Sequence, residues 1–155
     1  MAIQMTKFAG AYVITTASAR NHDLVKEFGA DEVIDYQTAD YSEIIIEVDI
    51  VLDAVIGANQ EKNFKVLRKG GRVVSIVTPN ISDLAQAYQV NAKFVVVLPN
   101  RDELVKIVQW VQEQKLKVHI DRIFPLTETA LIEAHRIIET KHARGKLVVQ
   151  IRNEK

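Results

Sequence analysis

Few residues in this 155-residue sequence have a type and spacing that could do chemistry. The four histidines, His22, His119, His135 and His142, show no metal-ligand spacing, and no cysteine is present to supply a thiolate, so no metal site is expected. No nucleophile, base and orienter fall into a recognisable constellation. Gly57 and Val77 are more informative, because each follows an apolar run that reads as a parallel strand, and ligands of open α/β sheets sit at the carboxyl ends of such strands. Gly57 is equally well read as plain turn chemistry. Near the C-terminus, Lys141, Arg144 and Lys146 form a basic group that could face an anion or could simply complement the dipole of the preceding helix.

These residues depend on elements whose order is legible from hydrophobic periodicity. The chain opens with helical spacing of Ala2, Ile3, Met5 and Phe8, stopped by Gly10, and no cap residue precedes it. A helix starting uncapped at residue 1 suggests that a preceding piece has been cut away. A strand is expected over Ala11–Thr16, then a helix with Leu24, Val25 and Phe28 on one face and Gly29 as a left-handed stop. Glu32–Asp35 reads as a short strand, and Val48–Ala54 as a clearer one covered on both faces. Asn59 is placed to cap a helix reaching Leu67, and Gly70-Gly71 to turn the chain into a strand over Arg72–Val77. A short helix over Ser82–Tyr88 and a strand over Lys93–Leu98 follow. Asn100 and Glu103 resemble a capping box, opening a helix with Leu104, Ile107, Val108 and Val111 on one face. From about Lys115 the texture changes to an alternating strand over Val118–Phe124, closed by Pro125. A helix over Glu128–Glu139 and a final strand over Lys146–Ile151 complete the chain. Strands alternating with helices predict an α/β fold with a mostly parallel sheet.

Composition excludes several classes of function. Twenty basic residues balance twenty acidic ones, which gives no general attraction to nucleic acid or anionic lipid. Apolar runs such as Phe94–Leu98 fall far short of the roughly 20 residues a spanning helix needs. The N-terminus carries no secretion-signal pattern, and the absence of cysteine suits a reducing compartment, so a cytoplasmic domain is expected.

Four stretches together carry a resemblance: Phe28-Gly29-Ala30-Asp31-Glu32-Val33-Ile34-Asp35-Tyr36, Val51-Leu52-Asp53-Ala54-Val55-Ile56-Gly57, Lys69-Gly70-Gly71-Arg72-Val73-Val74, and His142-Ala143-Arg144-Gly145-Lys146-Leu147-Val148-Val149. In this order the chain closely resembles the medium-chain dehydrogenase/reductase superfamily, and within it the zinc-free, NADPH-dependent quinone oxidoreductase group. The resemblance implies a C-terminal half only. Residues 1–114 would be a truncated Rossmann domain without its usual first strand and glycine-rich turn, and residues 115–155 the segment that completes the catalytic domain. With the strand order 3-2-1-4-5-6, loss of strand 1 leaves two unpaired edges in mid-sheet. A rearranged sheet, an exchanged element or a separately supplied N-terminal piece is therefore expected.

The resemblance also implies site residues. An NAD-specific domain would place an acid after the first strand, whereas Thr16-Ala17-Ser18-Ala19-Arg20-Asn21 has none. NADPH users of the group commonly have Ser followed three residues later by Lys to hold the 2'-phosphate. Ser18 matches the Ser, Asn21 stands where the Lys would be, and Arg20 could substitute for its charge. The alternative is that Ser18 caps the next helix and Arg20 is solvated. Tyr36 falls near the same phosphate in relatives, or is an exposed strand-end tyrosine. Phe94 and Val95 match the segment beside the nicotinamide, and the Lys93–Leu98 strand is equally the edge that pairs two copies into a homodimer. Lys141, Arg144 and Lys146 match residues approaching the cofactor. The implied activity is hydride transfer from NADP(H) to a quinone or enone-like carbonyl; the competing reading is a non-catalytic dimerising or binding module derived from such a reductase.

Overall fold

Val- and Ile-rich runs form the strands and amphipathic runs the helices in a computed structural model, which describes residues 1–57 and 60–152. In chain order these are α1 (Ala2–Phe8), β1 (Ile14–Thr16), α2 (His22–Glu27), β2 (Glu32–Ile34), α3 (Tyr41–Ile44), β3 (Val48–Asp53), α4 (Gln60–Lys65), β4 (Leu67–Ser75), α5 (Ser82–Ala87), β5 (Asn91–Phe94), α6 (Arg101–Gln112), β6 (Ile120–Pro125), α7 (Glu128–Glu139) and β7 (Lys146–Gln150). A 3-10 turn, Ala19–Asn21, leads into α2. The strands form three sheets, β1 with β2, β3-β4-β5, and β6 with β7. The pairings β3–β4, β4–β5 and β6–β7 are parallel, as helical crossovers require. The expected α/β class with parallel sheets is therefore found. β1 and β3 belong to different sheets, so no rearranged pairing joins them.

The chain divides into two compact units, one of residues 16–18 and 34–101, the other of residues 1–15, 19–33 and 102–155. In the first, Phe64, Leu67, Val73, Ile81 and Ala85 are buried together, with Val48, Val51, Tyr88 and Ala92 packed against them. Burying an aliphatic or aromatic side chain of this size contributes about 1.5–3 kcal/mol, so this cluster is the main support of the three-stranded sheet. Its other face differs from the expectation of a strand covered on both sides: Ile50 and Leu52 are 64% and 50% exposed. The expected helix to Leu67 ends at Lys65, because the Val66 carbonyl accepts from Val48 N at 2.9 Å and the chain passes directly into the ladder. Gly70 and Gly71 consequently lie inside β4, at a register shift between the Val48–Leu67 and Ile50–Arg72 pairs. The cap expected at Asn59 lies outside the described residues. β5 stops at Phe94 rather than Leu98, because its partner β4 ends at Ser75, opposite Phe94.

In the other unit, Phe124, Ala130 and Ala134 form a small core between α7 and the β6–β7 pair, joined by Ile137 and Leu147. Thr127 caps α7 by accepting from Ala130 N at 3.3 Å. β1 begins at Ile14, later than expected, because the Asp31 carboxylate takes Val13 N–H at 2.6 Å in place of a ladder partner. The same carboxylate is bridged by Lys7, which also donates to Ala11 O at 3.0 Å, so the end of α1, the approach to β1 and the approach to β2 are tied at one point. The positive Lys7 side chain and then the Val13 amide hold the Asp31 carboxyl below its ordinary pKa. Gln4 is 6% exposed and acts as a substitute strand partner, donating to Lys117 O at 3.0 Å and accepting from Lys117 N at 2.7 Å. Phe8 meets Trp110 of α6 edge to face, with ring centroids 6.3 Å apart. Gly29 ends the α2 region with φ +98°, the left-handed stop expected there.

Candidate functional site

The carboxyl end of the β3-β4-β5 sheet gathers four of the residues singled out from sequence. Asp53, Ser75 and Phe94 are register partners on the last rung of the three strands. Gly57 follows β3, Val77 follows β4, and Val95 follows β5. Val95 N donates to Ser75 O at 2.9 Å and Ile76 N to Asp53 O at 3.0 Å, so the backbone beyond the rung continues the parallel ladder by one step. At Gly57 no heavy atom lies within 4 Å of the position a Cβ would occupy, which leaves the backbone open to close approach. Val95 and Val77 are half-buried and Phe94 is 36% exposed.

Two residues at the centre of this end were missed by sequence reasoning. Asp53 and Ser75 are 6% and 0% exposed, and Ser75 Oγ donates to Asp53 Oδ2 at 2.8 Å. The same oxygen accepts from Thr78 N at 2.9 Å and Val77 N at 3.2 Å. Gln60, the first residue of α4, donates from Nε2 to Thr78 Oγ1 at 2.7 Å. The available signal was an acid after the apolar run Ile50-Val51-Leu52 and a serine after Val73-Val74. Nearby, Tyr41 donates to Asn63 Oδ1 at 2.7 Å, and its hydroxyl pKa is pushed up to about 12 by burial and, secondarily, by the negative charges of Asp40 and Asp53.

Ser18 and Tyr36 belong to the same compact unit. Ser18 is 9% exposed in the segment between β1 and the 3-10 turn. Tyr36 is 50% exposed, two residues beyond β2.

In the other unit a basic group is assembled from distant parts of the sequence. Arg20 Nη2 donates to the carbonyl of His142 at 3.0 Å, which brings the exposed guanidinium beside the loop that carries Lys141 and Arg144. Asn21 is half-buried at the end of the same 3-10 turn. The loop itself is fixed by its backbone, with Arg144 N donating to Asp121 Oδ2 at 3.1 Å and Lys146 N to His119 O at 2.9 Å. Gly145 has no room for a side chain, since a Cβ there would lie 2.5 Å from His119 O. Lys141, Lys146 and Leu147 border a shallow depression of about 360 Å³. Burial, aided by the positive Lys146, lowers the pKa of the N-terminal amine. The structure thus brings Arg20 to the C-terminal basic loop, while Phe94 ends β5 and Gly57, Val77 and Val95 follow the carboxyl ends of β3, β4 and β5. Among the described residues no three His, Cys, Asp or Glu side chains converge in the way a metal ion would require, and no helix is long and apolar enough to cross a membrane.

Comparison with known proteins gives this arrangement a context. The sequence pattern of the family described as zinc-binding dehydrogenase matches residues 28–149. An NADPH-dependent alkenal/one oxidoreductase of Arabidopsis thaliana chloroplasts is 32% identical over 96% of this chain and 36% of its own length. A chloroplastic quinone oxidoreductase of Triphysaria versicolor is also 32% identical, over 96% of this chain and 48% of its own. The solved structure of a quinone oxidoreductase from Coxiella burnetii superposes with a TM-score of 0.86 at 37% identity, covering 97% of this chain and 48% of that one. The chain therefore spans about a third to a half of the length of these relatives.

Proposed function

Because the chain belongs to the zinc-binding dehydrogenase family, within the medium-chain dehydrogenase/reductase superfamily, we propose that it is the cofactor-side portion of an NADP(H)-dependent oxidoreductase whose substrate is a quinone or an enone-like carbonyl. In this reading residues 1–114 are a truncated dinucleotide-binding domain and residues 115–155 the segment that completes a catalytic domain. The observation that supports it is the carboxyl end of the three-stranded sheet, beyond which Gly57, Val77 and Val95 follow their strands and at which Phe94 lies on the last rung, since ligands of parallel α/β sheets bind beyond the carboxyl ends of the strands. The names of the relatives supply the chemistry: an alkenal or enone acceptor in one, a quinone in another.

The residues present fit part of a dinucleotide site. Arg20, with Lys141 and Arg144 on the loop it bonds to, supplies positive charge for the 2'-phosphate. Asn21 and Lys146 extend this basic group; in the other unit, Ser18 and Tyr36 are candidates for the phosphate by the family resemblance alone, and Gly57, Val77, Phe94 and Val95 for the nicotinamide end. The cofactor when bound supplies the hydride, and the protein orients it and keeps water away. No G-x-G-x-x-G turn occurs in the sequence, so pyrophosphate binding needs residues from elsewhere. The zinc of the family's name finds no fitting ligand set here, with no cysteine in the sequence and no acid or histidine cluster among the described residues.

A second reading is favoured by the same coverage figures: the chain is a non-catalytic dimerising or binding module, pairing with its twin through the Lys93–Leu98 edge. Cysteine-free, charge-balanced composition supports a cytoplasmic location for either. The test is thermal unfolding of the purified chain with NADPH at millimolar concentration. A ligand present at about 100 times its Kd stabilises by about 2.7 kcal/mol, which raises Tm by several degrees. No rise in Tm leaves the module reading in place.

A further inference from the structure

The chemical group left without a role in the reading above is the Asp53–Ser75 pair, a carboxylate and a hydroxyl removed from water at the last rung of the sheet. Burying an acid in a strand end is unfavourable unless its oxygens are hydrogen-bonded. The geometry shows what the pair does. A serine hydroxyl has one proton to donate and two lone pairs to offer. The Asp53 carboxylate takes the proton, at 2.8 Å, and so fixes the direction of the O–H bond. Both lone pairs are then left for the Val77 and Thr78 amides, at 3.2 and 2.9 Å, and all of the hydroxyl's bonding capacity is used. A charged acceptor strengthens the two bonds the hydroxyl receives. Gln60 holds the same turn from α4 through Thr78 Oγ1.

We propose that Asp53 and Ser75 are positioning residues, which act through the Val77–Thr78 turn to hold the sheet end in the conformation that receives the nicotinamide half of a dinucleotide. The proposal rests on the NADP(H) reading of this sheet end. It assigns Asp53 and Ser75 no contact with the cofactor and no proton transfer.

The test uses the full chain and two independent readouts. Ser75→Ala removes the one oxygen that accepts from both amides, and the Val77 and Thr78 amides should exchange with deuterium roughly tenfold faster, while the Val73 amide within β4 keeps its protection. NADPH should bind the variant roughly tenfold more weakly, whereas the phosphorylated-adenosine half of the cofactor, supplied as a separate nucleotide, should bind unchanged. Asp53→Asn keeps an acceptor oxygen but removes the charge, and should move the same two amides in the same direction by less; it carries the test if Ser75→Ala does not fold. Unchanged exchange at Val77 and Thr78 overturns the proposal. So does faster exchange with unaltered NADPH affinity, or equal weakening of NADPH and the adenosine nucleotide, which would mark a general loss of structure. If the parent chain binds no NADPH while the two amides still respond, the cofactor reading has failed and the positioning role falls with it.

Discussion

Gly145 illustrates how one residue fixes the position of a candidate binding loop. Its missing side chain lets the loop press on His119, and Lys146 N then reaches His119 O at 2.9 Å. Gly145→Ala should cost about 1–3 kcal/mol through overpacking against backbone that cannot yield, read as a lower urea midpoint at unchanged slope. At Arg20 the expected effect is on recognition rather than stability, because the side chain is exposed and donates to the carbonyl of His142. Arg20→Ala should weaken NADPH roughly tenfold and leave NADH unchanged, since a charge-assisted bond to phosphate is lost only with the phosphorylated cofactor. Equal losses for both cofactors, measured by titration calorimetry, would remove Arg20 from the phosphate site. Both residues could be singled out from sequence, but their partners could not. Arg20 and His142 lie 122 positions apart, and Asp53 meets Ser75 only once the register of two parallel strands is known.

At the scale of elements, local chemistry was legible wherever a stop or a cap acts within a few residues. The start of α7 at the Thr127 cap and the Gly29 stop are of this kind, whereas α5 forms without a side-chain cap. Expectations failed where tertiary partners decide: β5 ends where β4 gives out, β1 yields its start to the Asp31 carboxylate, and β4 runs through two glycines that read as a turn. The cap of α3 is another local device. Asp40 accepts from Ser42 N at 3.0 Å and is bridged by Lys62 at 2.6 Å. The hydrogen bond from Lys62 first, and then the Ser42 bonds, hold its pKa at about 2 instead of 3.8. A folded-state pKa below the unfolded one means the contribution is complete above the unfolded value and is lost as pH falls through the folded value. Asp40→Asn should therefore lower Tm at neutral pH, with the difference from the parent shrinking between about pH 4 and pH 2. A Tm difference that stays constant across that range would show that Asp40 acts only through the shape of its cap.

For the whole molecule, the homodimer reading can be weighed against the sheet edges left open among the described residues. The order β3-β4-β5 leaves β3 and β5 each with one edge that no strand of the sheet covers. Exposed edges normally carry charge or irregularity that discourages pairing. β3 has Asp49 and a register shift near its start, both of which disfavour a flat extension. Beyond β5 the chain instead presents Val96, Val97 and Leu98 at 66%, 75% and 75% exposure, contiguous with a strand whose outer edge is open. An apolar, uncharged stretch continuing an open strand is the better template for a second copy, and this supports the homodimer reading over a pairing through β3. Val97→Lys should place two like charges in such an interface and convert a dimer into a monomer in sedimentation velocity, whereas Leu52→Lys on β3 should leave the oligomeric state unchanged. If instead Leu52→Lys dissociates the assembly and Val97→Lys does not, association runs through the β3 side, and Val96–Leu98 must be assigned to contact with some other polypeptide.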